Sequence, residues 1–337
     1  MNSLAQPTVR TAAHGASEVV LQIRNLTVQY ATARGPVSAV NQVSFDLRKG
    51  EILGLVGESG SGKTTLAMTL VGLLRPPGRI VGGEILLNGR NLVKLSPQEY
   101  KSVRLSQIAL MPQGAMNSLN PVIPIREQIL DGLRDHGIQL TTAEADRHIA
   151  SLLERVGLRA EVANLHAHEL SGGMKQRVAL AIAISMQPQV IIADEPTSAL
   201  DVVVQKLVIE TLRDVQEELG AAIILVGHDM GLMAQTVDRL GVMYAGRLVE
   251  IAPMRDALIS PQHPYTRLLI EALPSVTEKK KLRGIPGLAP QLLNLPKGCA
   301  FHPRCPLAFE PCSTVSPEIR PAGLDRAAAC HLLEVTP

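Results

Sequence analysis

The apolar run Ile52-Leu-Gly-Leu-Val56 leads directly into Gly57-Glu-Ser-Gly-Ser-Gly-Lys-Thr64. The run reads as a short buried strand, and the loop follows the spacing Gly, four residues, Gly-Lys-Thr. A helix is expected from Lys63 to about Leu74, closed by Pro76, Pro77 and Gly78. Strand, Gly-rich loop and helix together build an anion cradle. The glycines let backbone N–H groups turn inward, and the helix adds its positive end. Gly57, Ser59, Gly60, Ser61, Gly62, Lys63, Thr64 and Thr65 are therefore the expected contacts for ATP. In this reading Lys63 reaches the β- and γ-phosphates, and the Thr64 hydroxyl holds Mg²⁺.

A second segment supplies acids. Val190-Ile-Ile-Ala-Asp-Glu195 is an apolar strand ending in two carboxylates. Asp194 is placed to sit near the metal, and Glu195 to polarise an attacking water. Gln113, just past the apolar strand Ile108–Met111, can contact Mg²⁺ or the water. His228, at the end of the strand Ala222–Val226, can contact the γ-phosphate or orient the water. Spacing alone assigns neither, since each can equally be an ordinary loop residue.

Strands and helices alternate over 50–245, which predicts an α/β core with a mostly parallel sheet. Residues 19–56 read as strands, and 115–185 as a helical insertion with Ile149, Leu152, Leu153 and Val156 on one apolar face. Val202 to Leu219 is expected to be a further helix. Residues 1–18 read as a disordered tail. After Leu258, repeated prolines argue against long regular elements, so a boundary is placed near 260, with 261–337 an extension. Glu278 to Lys281 reads as an exposed connector. The chain has 33 Lys plus Arg against 31 Asp plus Glu, and its aromatic content is 2%. That balance gives no basis for a nucleic-acid binder, which needs a basic face or stacking platforms. No apolar stretch is long enough for a membrane span, so a cytosolic location is expected.

Leu170-Ser-Gly-Gly-Met-Lys-Gln-Arg177 resembles the signature sequence of ATP-binding cassette (ABC) transporter ATPases. The resemblance implies a RecA-like parallel-sheet core, an antiparallel β subdomain and a helical insertion. It also implies that two subunits pair head to tail, with Ser171, Gly172 and Gly173 acting on the partner's ATP. Ser198-Ala-Leu-Asp201 resembles the family's loop linking the two sites. Gln113 corresponds to its glutamine loop, His228 to its switch histidine, and Tyr30 to the aromatic residue set against adenine. Asn117-Ser-Leu-Asn-Pro121, Val242-Met-Tyr-Ala-Gly246, His263-Pro-Tyr-Thr-Arg267 and Gly298 to Pro306 are similar to the oligopeptide and dipeptide permease branch. Gly114 departs from it, since many relatives carry an acid there.

Cys299, Cys305, Cys312 and Cys330 are separated by five, six and seventeen residues. Four thiolates from Pro-rich loops can hold zinc or an iron–sulfur cluster, although close zinc-type Cys pairs are missing. The family resemblance implies a [4Fe–4S] cluster, with Zn²⁺, free thiols or a disulfide as alternatives. His302 and His331 read as neighbours rather than ligands, and Arg304 as a counter-charge for the cluster.

The partners implied are a second, homologous ATPase, two transmembrane permease subunits and an extracytoplasmic solute-binding protein, with no nucleic acid. The expected place is the cytoplasmic face of the membrane. Importers of nickel or oligosaccharides share these motifs. An exporter subunit, a non-enzymatic regulatory subunit and a soluble ABC protein acting on DNA or ribosomes are the remaining rivals.

Overall fold

The computed structural model describes residues 18–114, 118–273 and 284–335. Residues 1–17 of the tail expected over 1–18, Asn117 and the connector Glu278 to Lys281 lie outside the described residues. Among those described, strands form two sheets. The first is antiparallel and contains β1 (Val19–Thr32), β2 (Gly35–Arg48), β4 (Gly78–Leu87) and β5 (Arg90–Asn91), in the order β2-β1-β4-β5. Leu21, Ile23, Leu26 and Val28 of β1 are buried, as are Val40, Val43 and Leu47 of β2.

The second sheet has the order β11-β12-β10-β9-β3-β8-β7-β6. Its centre is parallel: β3 (Ile52–Val56), β6 (Ile108–Met111), β7 (Val190–Asp194), β8 (Ala222–Val226) and β9 (Arg239–Tyr244). Every residue of β3, β7 and β8 is buried. That is the pattern of parallel strands covered on both faces, and it explains the continuous apolar runs. The antiparallel edge is β10 (Arg247–Pro253), β12 (Arg326–Ala328) and β11 (Arg320–Gly323). The C-terminal segment thus continues the core sheet.

Helix α1 (Lys63–Leu70) is shorter than expected, because Gly72 adopts φ 64° and its N–H bonds back to the Thr69 carbonyl. Helix α2 (Pro97–Val103) begins with a Ser96/Glu99 capping box. The helical insertion contains α3 (Ile125–Asp135), α4 (Thr142–Arg155) and α5 (Gly172–Ala183). Ile149, Leu152 and Leu153 face its interior, and Thr141 with Glu144 closes a capping box on α4. Helix α6 (Val202–Leu219) is capped by Asp201, whose carboxylate accepts the Val203 and Val204 N–H groups. The shorter α7 (Met230–Thr236), α8 (Met254–Ile259), α9 (Pro264–Glu271) and α10 (Leu332–Val335) follow. Pro264 starts α9 where a missing N–H costs nothing, so the proline-rich region still carries a helix. Among the described residues no helix is long and apolar enough to cross a membrane.

Candidate active site

Gln113, Asp194–Glu195, His228 and the glycine loop follow β6, β7, β8 and β3 respectively, and these four are neighbours in the sheet. All therefore emerge at the carboxyl edge, where open α/β sheets place their ligands. Segments 82 residues apart meet there, as Gln113 and Glu195 do.

Two glycines of the loop are dictated by backbone crowding. Gly57 has φ 152°, and a Cβ on it would stand 2.2 Å from the Met243 carbonyl oxygen. Gly62 has φ 101°, and its Cβ would lie 2.0 Å from the Ala39 carbonyl oxygen. No side chain caps α1 and its first turn carries no acid, so its N–H groups are left to an anion. Ser59, Gly60 and Thr64 are exposed around this opening, with Thr65 half-buried and Ser61 buried. Lys63 donates from Nζ to the Gly57 carbonyl at 2.8 Å, the Glu58 carbonyl at 3.0 Å and Ser61 Oγ at 3.4 Å. Burial lowers its pKa, while Glu195, Asp194 and Glu58 pull the other way.

Asp194 Oδ1 accepts a hydrogen bond from Thr64 Oγ1 at 3.5 Å. Its Oδ2 is buried without a protein partner, and burial raises its pKa. A desolvated carboxylate oxygen beside a Thr hydroxyl, next to an anion cradle, fits Mg²⁺ bound together with phosphate.

Glu195 takes a left-handed backbone at φ 47°, fixed by its N–H donating to the Val226 carbonyl at 2.9 Å. Its carboxylate accepts from Gln113 Nε2 at 2.9 Å and lies 3.5 Å from His228 Nδ1. One acid is thus gripped by an amide and an imidazole from two flanking loops. Tyr30 sits on β1 opposite Gly78, half-buried. The signature residues lie on the helical layer. Ser171 caps α5 by accepting the Met174 N–H, and Gly173 is buried against α6.

The C-terminal expectation needs correction. Cys299, Cys305, Cys312 and Cys330 line one pocket with Phe301 and His263, yet all four are free thiols. Among the described residues no group of three or more His, Cys, Asp or Glu is disposed to hold a metal ion. Burial raises the Cys299 and Cys305 thiols and pushes Cys330 up to about 11, favouring neutral sulfur over the thiolate that metals bind. The [4Fe–4S] and Zn²⁺ readings are therefore withdrawn. The segment is fastened by ordinary protein contacts instead. These are the β10–β12 pairing, the Arg48–Asp325 ion pair and Phe301 packed on Tyr244 and Tyr265. Arg304, expected to offset a cluster, pairs with Glu58 of the loop. That contact and the Tyr265 hydroxyl beside the Glu58 N–H were invisible to sequence reasoning.

A glycine cradle, an orphaned carboxylate and a gripped acid at one sheet edge have the geometry of a phosphate-loop ATPase. The "ABC transporter" family model matches residues 40–198, and "Oligopeptide/dipeptide transporter, C-terminal region" matches 249–312. The chain is 43% identical to the oligopeptide transport ATP-binding protein OppD of Salmonella typhimurium, over 91% of this chain and 92% of the relative. It is 41% identical to the dipeptide transport ATP-binding protein DppD of Lactococcus lactis, over 86% and 84% respectively. Among solved structures, dimeric MJ0796, a bacterial ABC transporter cassette, superposes with TM-score 0.63 at 26% identity, covering 70% of this chain and 99% of the other. The chain belongs to the ATP-binding subunits of ABC transporters, in the oligopeptide/dipeptide branch.

Proposed function

We propose that this chain hydrolyses ATP to drive a membrane importer of oligopeptides or dipeptides, working at the cytoplasmic face. The observation that carries the reading is the single edge where Lys63, Thr64, Asp194, Glu195, Gln113 and His228 meet. The loop N–H groups and Lys63 hold the β- and γ-phosphates, with Tyr30 beside the adenine. Thr64, Asp194 and Gln113 would hold Mg²⁺, which would supply positive charge to the phosphate oxygens. Glu195 orients a water and draws its proton as the water oxygen bonds to the γ-phosphorus and the bridge to ADP breaks. His228 and Gln113 keep that carboxylate aimed.

Ser171, Gly172 and Gly173 complete the site of a second, homologous ATPase, which in turn completes this one. The Ser171 cap takes up only the Met174 N–H, so the Gly172 and Gly173 N–H groups at the start of α5 are left for an anion, which supports that role. The reading assigns 19–260 to the nucleotide-binding unit, with its helical part at about 115–185, and 261–337 to the extension. Two transmembrane permeases and an extracytoplasmic solute-binding protein complete the assembly. Peptide cargo is supported by the names of the relatives and by the C-terminal family match.

Co-purification tests it: the tagged chain should bring down two polytopic permeases, and peptide-loaded binding protein should stimulate ATP turnover. Stimulation by nickel- or oligosaccharide-loaded binding protein alone would replace the cargo. A chain that recovers no polytopic protein would overturn the transport reading.

A further inference from the structure

The phosphate-binding loop carries a carboxylate of its own. Glu58 follows Gly57 directly, and a negative side chain beside a triphosphate opposes binding by like-charge repulsion. That carboxylate is taken up by Arg304, 246 positions further along the chain. Nη1 donates to Glu58 Oε2 at 2.7 Å and Nη2 to Oε1 at 2.8 Å, a two-pronged pairing that fixes the carboxylate in its plane. The Arg304 side chain is only 7% exposed, so solvent screens the pair little. Two further donors are also engaged, Nε with the Pro286 carbonyl at 2.7 Å and Nη1 with the Tyr244 hydroxyl at 3.2 Å. The same loop residue is held at its backbone, where the Tyr265 hydroxyl accepts the Glu58 N–H at 2.9 Å. Tyr244, Tyr265 and Phe301 pack together behind these contacts.

We propose that Arg304 is a positioning residue for ATP binding: it neutralises and orients Glu58, so that the affinity of the loop for the nucleotide depends on the C-terminal segment. The inference rests on the ATPase reading above. A bland alternative is that the pair simply glues the segment to the core. The two differ in sign, because an uncompensated Glu58 must repel ATP whereas lost glue only destabilises.

The test measures binding of a fluorescent ATP analogue with Mg²⁺ to the full chain at low and high salt. It also measures the ATP KM and kcat of the assembled complex. Arg304→Gln should weaken ATP binding and raise KM roughly five-fold at low salt, less at high salt, with kcat within about two-fold. Adding Glu58→Gln should return KM to within about two-fold of the parent, because the repelling charge is gone. Should Arg304→Gln not accumulate folded, Glu58→Gln alone decides. It leaves Arg304 unopposed beside the loop, so ATP affinity should rise at low salt. An Arg304→Gln chain with parental affinity, a double variant as weak as the single one, or a Glu58→Gln chain with unchanged or lower affinity would each overturn the inference. Failure of the parental chain to bind ATP would instead sink the ATPase reading, and this one with it.

Discussion

Replacing Gly173 by Ala probes the joint between the signature helix α5 and helix α6. Helix α5 packs on α6 there, and a Cβ at 173 would stand 2.5 Å from Val204 Cγ1. Carbon atoms prefer about 3.5–4.0 Å, so the overlap is roughly 1 Å. Val204 is β-branched and stiff about χ1, which favours relief by lifting α5 away from α6. Overpacking of this size costs about 1–3 kcal/mol, or a melting temperature lower by about 2 °C per kcal/mol in a domain this large. The displaced N–H groups are those proposed to face the second subunit's triphosphate. ATP turnover of the complex should therefore fall by more than stability does, roughly ten-fold for each 1.4 kcal/mol of lost contact. Val204→Ala deletes the clashing atom, and the double variant should recover most of both losses. Urea unfolding of the four proteins, with turnover of their complexes, reads the cycle. An unfolding midpoint unchanged by Gly173→Ala, or no rescue by Val204→Ala, would refute the packing argument.

Two further predictions concern the scaffold. The fully buried Glu51 carboxylate accepts the Arg48 N–H at 2.7 Å and Arg239 Nη1 at 2.9 Å. Arg239→Leu should therefore cost about 3–5 kcal/mol in chemical denaturation, with Glu51→Gln in the same chain recovering part of it. His263 is buried, which lowers its pKa from the ordinary 6.5 to about 3, so it is neutral in the fold while the unfolded chain takes up a proton below 6.5. Its contribution is present above pH 6.5 and is lost as pH falls toward 3, at about 1.4 kcal/mol per unit. Its Nδ1 accepts the Tyr265 N–H at 3.0 Å, a cap that Asn can replace, so His263→Asn should unfold with a shallower slope between pH 6 and 4.

The parts of this molecule that were legible in its sequence are those encoded locally. The apolar runs of β3, β7 and β8 announce parallel strands buried on both faces, and the loop spacing at Gly57 to Thr64 requires an anion cradle. Spacing alone showed Gln113 and His228 only as candidates and the family resemblance supplied their roles, because their meeting at Glu195 follows from strand order, which local spacing does not state. The C-terminal segment was misread for a related reason. Four cysteines gathered in one segment, together with the family resemblance, suggested a metal centre, whereas the segment is fixed by sheet pairing, an aromatic cluster and ion pairs to distant residues. The loop pattern assigns no role to Glu58. Only the fold brings Arg304 and Tyr265 against it.

The most direct test of the central claim is ATP turnover by the assembled complex after Glu195→Gln. The amide keeps the shape of the side chain that meets Gln113 and His228 but cannot draw a proton from water. Binding of ATP with Mg²⁺ should persist at parental or higher affinity, while this chain's own hydrolysis, measured with the second ATPase's site disabled, falls by roughly 10²–10⁴. Turnover unchanged under those conditions would contradict Glu195 as the acid that activates water. Loss of ATP binding itself would contradict the separation of cradle and acid on which the whole account depends.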